Sequence, residues 1–307
     1  MHAPNVATIA RTCPACGELA PTGRSEVRAR VPPGTLSLDE FTLAWASSSR
    51  NDCFFDYCRC GTCGLLYNTE YADPSVVDSS YSHMDDNTAG VPRELLAATQ
   101  RRYLEALEDL APLEGTYLEV GPDVGLATQL AVEKGSPTKV VLVEPNRACY
   151  ADLKRVTTTT DSVIVASVSD LDDSVQADRL VLIHVLDHLT HPREILEALR
   201  QRTAKGGLIL VVVHDESSLL RRILGRRWPP FRLPHPQLFS RQTLPALLES
   251  CGFTVHSLRT TVNTLSLRHL VRSGLSTLGA EPRWIDRVPQ YGVTVRLGNI
   301  LAVAKAT

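Results

Sequence analysis

The sequence predicts a mixed α/β protein, a doubly wound and mainly parallel sheet preceded by a small cysteine-rich module. Three observations carry this. From residue 112 onward, short β-branched or aliphatic runs alternate with helix-length segments, the pattern of a parallel sheet with crossover helices. Six of the eight cysteines lie at or before residue 63. With 307 residues, 43% hydrophobic and 21% charged, the chain can bury a sizeable core and is too apolar to be mainly disordered.

The sheet strands are predicted at Thr116–Val120, Val140–Glu144, Ser162–Val165, Arg179–Ile183 and Leu208–Val213, with helices at Leu126–Lys134, Ala148–Arg155 and Arg193–Arg202. A helix at Arg241–Ser250 leads through Cys251-Gly252 to a strand near Phe253–Leu258, and Asn299–Ala306 is the last strand. Upstream, Pro92 opens a helix whose apolar face is Leu95, Leu96, Thr99, Tyr103, Ala106, Leu107 and Leu110. The expected division is a module over 1–70, a linker and helix over 71–111, and a Rossmann-like domain over 112–307. The linker, polar and turn-rich after Tyr67, should hold at most short helices. For 259–292 two readings stay open, a substrate lid and a homodimer contact.

Composition excludes several classes. The net charge of −2 argues against a dedicated nucleic-acid binder, whose domains are usually basic. The longest aliphatic run, Leu208 to Val213, is far short of the roughly 20 residues of a membrane span. The opening MHAPNVATIART lacks the apolar run of a secretory signal, so a cytoplasmic protein is expected.

Cys13-Pro-Ala-Cys16-Gly17 and Cys60-Gly-Thr-Cys63-Gly64 are two C-x-x-C-G turns. Each can wrap two thiolates around one side of a tetrahedral metal, and four thiolates make a closed, structural Zn²⁺ site. Glycine after the second cysteine lets each turn tighten at positive φ. The alternatives are a redox dithiol or disulfides, but a thioredoxin-like C-x-x-C stands alone before a helix. Here 43 residues, including the strand-like Phe41–Trp45, separate two turns. Cys58 is an alternative ligand.

The first sheet strand ends Glu119-Val-Gly121-Pro-Asp123-Val-Gly125 and runs directly into a helix. In a doubly wound fold the crevice beyond the strand ends holds the ligand. Glu144, closing the second strand 19 residues past Gly125, can accept hydrogen bonds from both hydroxyls of a ribose. A nicotinamide fingerprint needs G-x-G-x-x-G around a diphosphate, whereas positions 123 and 126 are Asp and Leu and a carboxylate at Asp123 would repel the diphosphate. S-adenosylmethionine (SAM) fits better: it has a ribose, no phosphate, and an ammonium that Glu119 can neutralise.

Together, E-x-G-x-x-x-G, the acid closing strand two, HVLDHL at 184–189 and AKGGLILVV at 204–212 resemble the class I SAM-dependent methyltransferases. With the cysteine module ahead, the chain resembles bacterial members with an N-terminal zinc-binding domain, several of which modify sugars or natural products. RLPHPQLFSRQTLPALLESCGF at 232–253 resembles their segment in which a His precedes a Phe-Ser helix cap. The resemblance implies cofactor contacts from Glu119, Gly121, Asp123, Gly125 and Glu144, with Asp170 as the acid beside the adenine. It departs at Asp123, where the family usually has Gly; Asp is among the few other residues that tolerate positive φ.

Methyl transfer from a sulfonium is an in-line displacement, governed by positioning and assisted by a base for hydroxyl or carbon acids. His235, His188 and His184 are the candidate bases, with a packing role as the alternative; His214 is a fourth. His2, His83, His191, His256 and His269 are expected outside the site. In LLRRILGRRWPPFR, Arg227, Trp228 and Arg232 are candidate contacts to an anionic, for example nucleotide-linked, small molecule; the alternative is an amphipathic helix with its aromatics in the core. The expected function is SAM-dependent methylation of a sugar or natural-product intermediate. The rivals are a zinc-module RNA methyltransferase and a SAM-fold protein that binds without methylating.

Overall fold

The computed structural model describes residues 6–20, 25–45, 53–82, 92–277 and 283–307; His2 and His83 lie outside these. The N-terminal part comprises β1 (Thr8–Ala10), α1 (Leu38–Trp45), β2 (Tyr57–Arg59), β3 (Leu66–Asn68) and β4 (Glu70–Ala72). Two helices follow, α2 (Pro74–Ser82) and α3 (Arg93–Glu108). The alternating region is β5 (Glu114–Val120), α4 (Leu126–Lys134), β6 (Ser136–Val143), α5 (Tyr150–Val156), β7 (Asp161–Val165), β8 (Ala177–Ile183), α6 (Pro192–Gln201) and β9 (Thr203–His214). The remainder is α7 (Leu219–Leu224), β10 (Gln237–Leu238), α8 (Thr243–Ser250), β11 (Phe253–Ser266), α9 (Leu267–Thr277) and β12 (Gly292–Ala306).

The central sheet has the order β11-β12-β9-β8-β5-β6-β7. Strands β5 to β9 pair in parallel, and β12 enters antiparallel between β9 and β11. The chain therefore reverses direction across the sheet at β5, which is where a doubly wound fold opens its ligand crevice. Both faces are covered, so the strands are buried on alternate residues to either side. Leu118, Val120, Val141 and Val143 face one core with α6 and α8, while Tyr117, Val140 and Leu142 face another with α3, α4 and α5.

The cysteine module belongs to the first of these cores. Cys13, Ala15, Cys60, Leu65 and Tyr67 pack with Leu244, Leu247 and the sheet. Its three-stranded sheet, β10-β3-β2, takes its third strand from the segment before α8. Arg11 reaches across the same seam, donating to the carbonyls of Thr190 (2.7 Å) and Pro236 (3.1 Å) and to Gln237 Oε1 (3.1 Å).

Two expectations change. Phe41–Trp45 is helical, within α1, because Ser37 and Glu40 form a capping box: the Ser37 N–H and hydroxyl both donate to Glu40 Oε2 at 2.8 Å. Strands β11 and β12 run further than expected. Their hairpin pairs as far as Ser266 with Gly292, and Thr99 of α3 receives the Thr264 N–H at 2.7 Å. Among the described residues no helix is long and apolar enough to cross a membrane.

Gln237 is fully buried and donates to the carbonyls of Leu186 (3.0 Å) and Leu189 (2.6 Å) while accepting from Arg11. Gln237→Ala strands both carbonyls and a guanidinium N–H, and is expected to cost about 2–3 kcal/mol in urea unfolding.

Candidate active site

The carboxyl ends of β5, β6 and β8 converge beside the 121–125 loop. Glu119 is buried and accepts from Tyr117 O–H (2.8 Å) and from the Thr128 hydroxyl of α4 (2.6 Å). Glu144 follows β6 and accepts the backbone N–H groups of Asp123 (3.0 Å) and Asn146 (2.8 Å). Burial raises the pKa of each to about 7 against these hydrogen bonds, and the negative neighbours, Glu144 for Glu119 and Asp123 for Glu144, push the same way.

The loop needs its unusual residues. Gly121, Asp123 and Gly125 have φ of 66°, 52° and 76°. A Cβ on Gly121 would lie 2.6 Å from Val185 Cγ2, and one on Gly125 2.9 Å from Leu153 and Val156. These glycines allow the loop to lie against the turn after β8 and against α5. Asp123 adopts the conformation in which Asp is tolerated, and its carboxylate accepts from the Cys149 thiol at 3.5 Å. Asp170 is exposed in a turn after β7, where its carboxylate caps the Ser167 N–H at 3.0 Å.

Four histidines gather beside this crevice. His184 and His188 follow β8, His214 ends β9, and His235 comes from the segment paired to the cysteine module. The rings of His184 and His214 are 4.7 Å apart, those of His214 and His235 4.8 Å, and those of His188 and His235 4.5 Å. His235 Nδ1 faces the Pro230 carbonyl at 2.6 Å, so it carries the proton; its Nε2, 3.0 Å from His188 Nε2, is then the acceptor. His188 donates through Nε2, and its Nδ1 accepts from Tyr81 O–H at 2.9 Å. Burial drives the pKa of His188 down to about 4 and His184 to about 3, and holds His235 well below its usual value. All three are neutral near pH 7.

Asp187, fully buried, lies among these rings. Burial alone would raise its pKa, but His214, through charge and a 2.5 Å hydrogen bond from Nδ1 to Oδ2, together with His188 and His235 holds it well below the usual range.

The methyltransferase-domain family model matches residues 93–258, more than half of the chain. The chain belongs to the methyltransferase-domain family. One chain of the solved complex between the Haloferax volcanii Trm112 methyltransferase activator and a methyltransferase superposes with a TM-score of 0.51. It is 17% identical, over 70% of this chain and 98% of that one. The N-methyltransferase NodS from Bradyrhizobium japonicum, solved with S-adenosyl-l-homocysteine, gives a TM-score of 0.47 at 14% identity, over 75% of this chain and 96% of that one. These are likenesses of fold. No curated protein sequence matches the chain. The enzyme is a SAM-dependent methyltransferase with the Rossmann-like sheet of that class.

In this methyltransferase the four module cysteines come together. Cys13 and Cys63 sulfurs are 3.5 Å apart, as are Cys16 and Cys60, and all four lie within 4.8 Å of one another. Gly17 and Gly64 both have positive φ, and each donates its N–H to the first cysteine carbonyl of its turn, at 2.8 and 3.0 Å. Cys58 sits in β2 outside this cluster.

The arginine-rich segment places Arg227 at the exposed surface and leaves Arg232 half-buried. Trp228 is 1% exposed and packs with Phe54, Tyr57, Leu66 and Phe231, so its face is covered by the module and is no open stacking platform; its ring edge meets His214 at 6.3 Å. Tyr81 and Asp187 were not singled out from sequence. Asp187 was legible as the acid inside HVLDH, whereas nothing local marks Tyr81, which α2 delivers from 107 residues away.

Gly121→Ala combines a strained φ with a collision at Val185, and is expected to destabilise the methyltransferase by about 1–3 kcal/mol in urea unfolding. Gly61→Ala, where a Cβ would meet nothing within 4 Å, is expected to be neutral.

Proposed function

We propose that the enzyme methylates a small molecule, of the sugar or natural-product intermediate class, with SAM held at the 119–144 crevice. The observation that carries this is the set of three carboxylates at the strand ends, Glu119, Asp123 and Glu144, two of them buried and mutually unfavourable. Such a floor suits a cationic, phosphate-free ligand and disfavours a diphosphate. Glu119 is assigned to the ammonium, Glu144 to the ribose hydroxyls, Gly121 and Gly125 to the loop's close packing, and Asp170 to the adenine side.

When bound, SAM supplies a methyl carbon on a positively charged sulfur. The chain's part is to align an acceptor atom opposite that sulfur and exclude water. Transfer of that methyl would release the acceptor's proton, which a base beside the acceptor would take. His188, His235 and His184 are neutral imidazoles, the form able to take a proton. A small acceptor is favoured because this side is roofed: His235 and Gln237 are buried beneath the module. Arg227 and Arg232 are assigned to an anionic group of the substrate.

The four-cysteine cluster is assigned to structural zinc. Tetrahedral Zn–S bonds of about 2.3 Å separate sulfurs by about 3.8 Å, close to the 3.5 Å pairs observed. The ion would lock the knuckles that carry Leu65 to Tyr67 against the segment bearing His235. Cys16→Ser is expected to lower zinc content by about one ion per chain in elemental analysis, since a closed site requires all four thiolates.

Glu144→Ala is expected to weaken SAM binding about tenfold or more in calorimetry, with the fold retained, by removing charge-assisted hydrogen bonds. The pH dependence has a definite sign. Glu119, with its pKa near 7, is uncharged below that pH and cannot pair with the ammonium. SAM affinity therefore rises from pH 6 to pH 8 with proton release, and Glu119→Gln flattens the rise.

A further inference from the structure

His184, Asp187 and His214 form a second cluster of metal-binding donors, separate from the cysteines: one donor atom from each lies within 4.8 Å of the others. The arrangement is built by the fold. His184 leaves β8 with its N–H donating to the Val212 carbonyl of β9 (2.8 Å), so the ends of two adjacent strands fix two of the three donors. Asp187 follows one turn later.

Three further features have no account in packing alone. His184 Nδ1 and Asp187 Oδ1 are both buried without a hydrogen-bond partner, and groups in that state are ordinarily satisfied. His184 holds φ at 52°, a conformation uncommon for residues with a Cβ though less so for Asn, Asp and His, and one that clusters at functional sites. Asp187 is 0% exposed, and among the described residues its ion pair is with His214 alone, with no Lys or Arg.

We propose that His184, Asp187 and His214 bind one divalent first-row transition metal ion as a two-histidine, one-carboxylate site. Imidazole and carboxylate together suit zinc, iron, cobalt or nickel rather than calcium or magnesium. Three protein ligands leave positions open to an exogenous oxygen, as catalytic sites do. His184 Nδ1 and Asp187 Oδ1 are the open donors, the hydrogen bond from His214 to Asp187 already gathers the third, and with His184 on the ion the proton-accepting role falls to His188 and His235. The ion lies at the strand ends where the acceptor is placed by the function proposed above. Resting on that reading, its open position takes a hydroxyl or carboxylate oxygen of the acceptor and makes a bound hydroxyl easier to deprotonate.

The test uses the full-length protein as purified, dialysed against cobalt(II) chloride, with bound metal measured by elemental analysis and visible absorption. Wild type is expected to take up about one cobalt per chain while retaining its cysteine-bound zinc, with d–d bands and no thiolate charge-transfer band. Asp187→Asn and His214→Gln are each expected to weaken uptake by about tenfold or more, with SAM affinity unchanged. His184→Asn, which tolerates positive φ, gives the same loss should Asp187→Asn fail to fold. No cobalt uptake, uptake with thiolate bands alone, or equal uptake by wild type and the variants overturns the proposal. Cobalt bound at this site by a protein that does not bind SAM keeps the metal site and removes the cofactor assignment.

Discussion

The pairing of β3 with β10 is the constraint on which the acceptor side of the enzyme depends. It commits the segment from Trp228 to Ser240 to the N-terminal module rather than to the sheet from which it departs. Tyr57 and Tyr71 of the module donate to the carbonyls of His235 and Leu233, each at 2.5 Å. Arg59 makes a paired contact with Glu216 at 2.8 and 3.1 Å. Each bond joins the cysteine module to the chain between β9 and α8, so the module is part of the cleft wall and any loosening of it reaches His235 directly. A metal at the four cysteines, where Cys60 directly follows Arg59 in sequence, would act on the acceptor through this seam.

Two groups of buried acids sit at neighbouring strand ends and are shifted in opposite directions. Glu119 and Glu144 are raised because burial is reinforced by other carboxylates. Asp187 is equally buried, yet its neighbours are imidazoles and its charge is retained. Desolvation is common to all three, and the sign is decided by what stands beside each. The crevice thus offers one region matched to a cationic cofactor and another whose charge is shared with histidine rings.

Much of the fold was legible because both faces of the sheet are covered, so its strands read as continuous apolar runs such as Leu208 to Val213. Helix α4 was legible end to end, since Gly125 and Gly135 bracket it. The strand signal in the sequence ends at Leu258 because Arg-Thr-Thr-Val-Asn-Thr carries little apolar alternation, and that stretch of β11 is sustained by β12 and Thr99. Phe41–Trp45 looked like a strand because its aromatic residues outweighed the Ser37–Glu40 cap signal immediately before it. The glycine loop and the cysteine turns are local in sequence and could be read as motifs. The histidine network is not, since it is assembled from α2, β8, β9 and the segment before α8.

That network also separates histidines that sequence treats alike. His235 has one nitrogen on a carbonyl and the other on His188, and His188 has its remaining nitrogen on Tyr81. Each can take a proton only by surrendering or reversing a hydrogen bond, which fits them to orient groups and relay protons along a fixed direction. His214 differs: only Nδ1 is committed, to Asp187, and its side chain is 20% exposed. His184 is the converse, half-buried with its Nδ1 enclosed and unpartnered and its backbone at positive φ. A half-buried ring, an orphaned ring and a buried carboxylate between them form the part of the site whose bonding is incomplete within the chain. Ions and exogenous ligands enter where bonding is incomplete, whereas the His188–His235 pair takes a proton only through the hydrogen bonds it already makes.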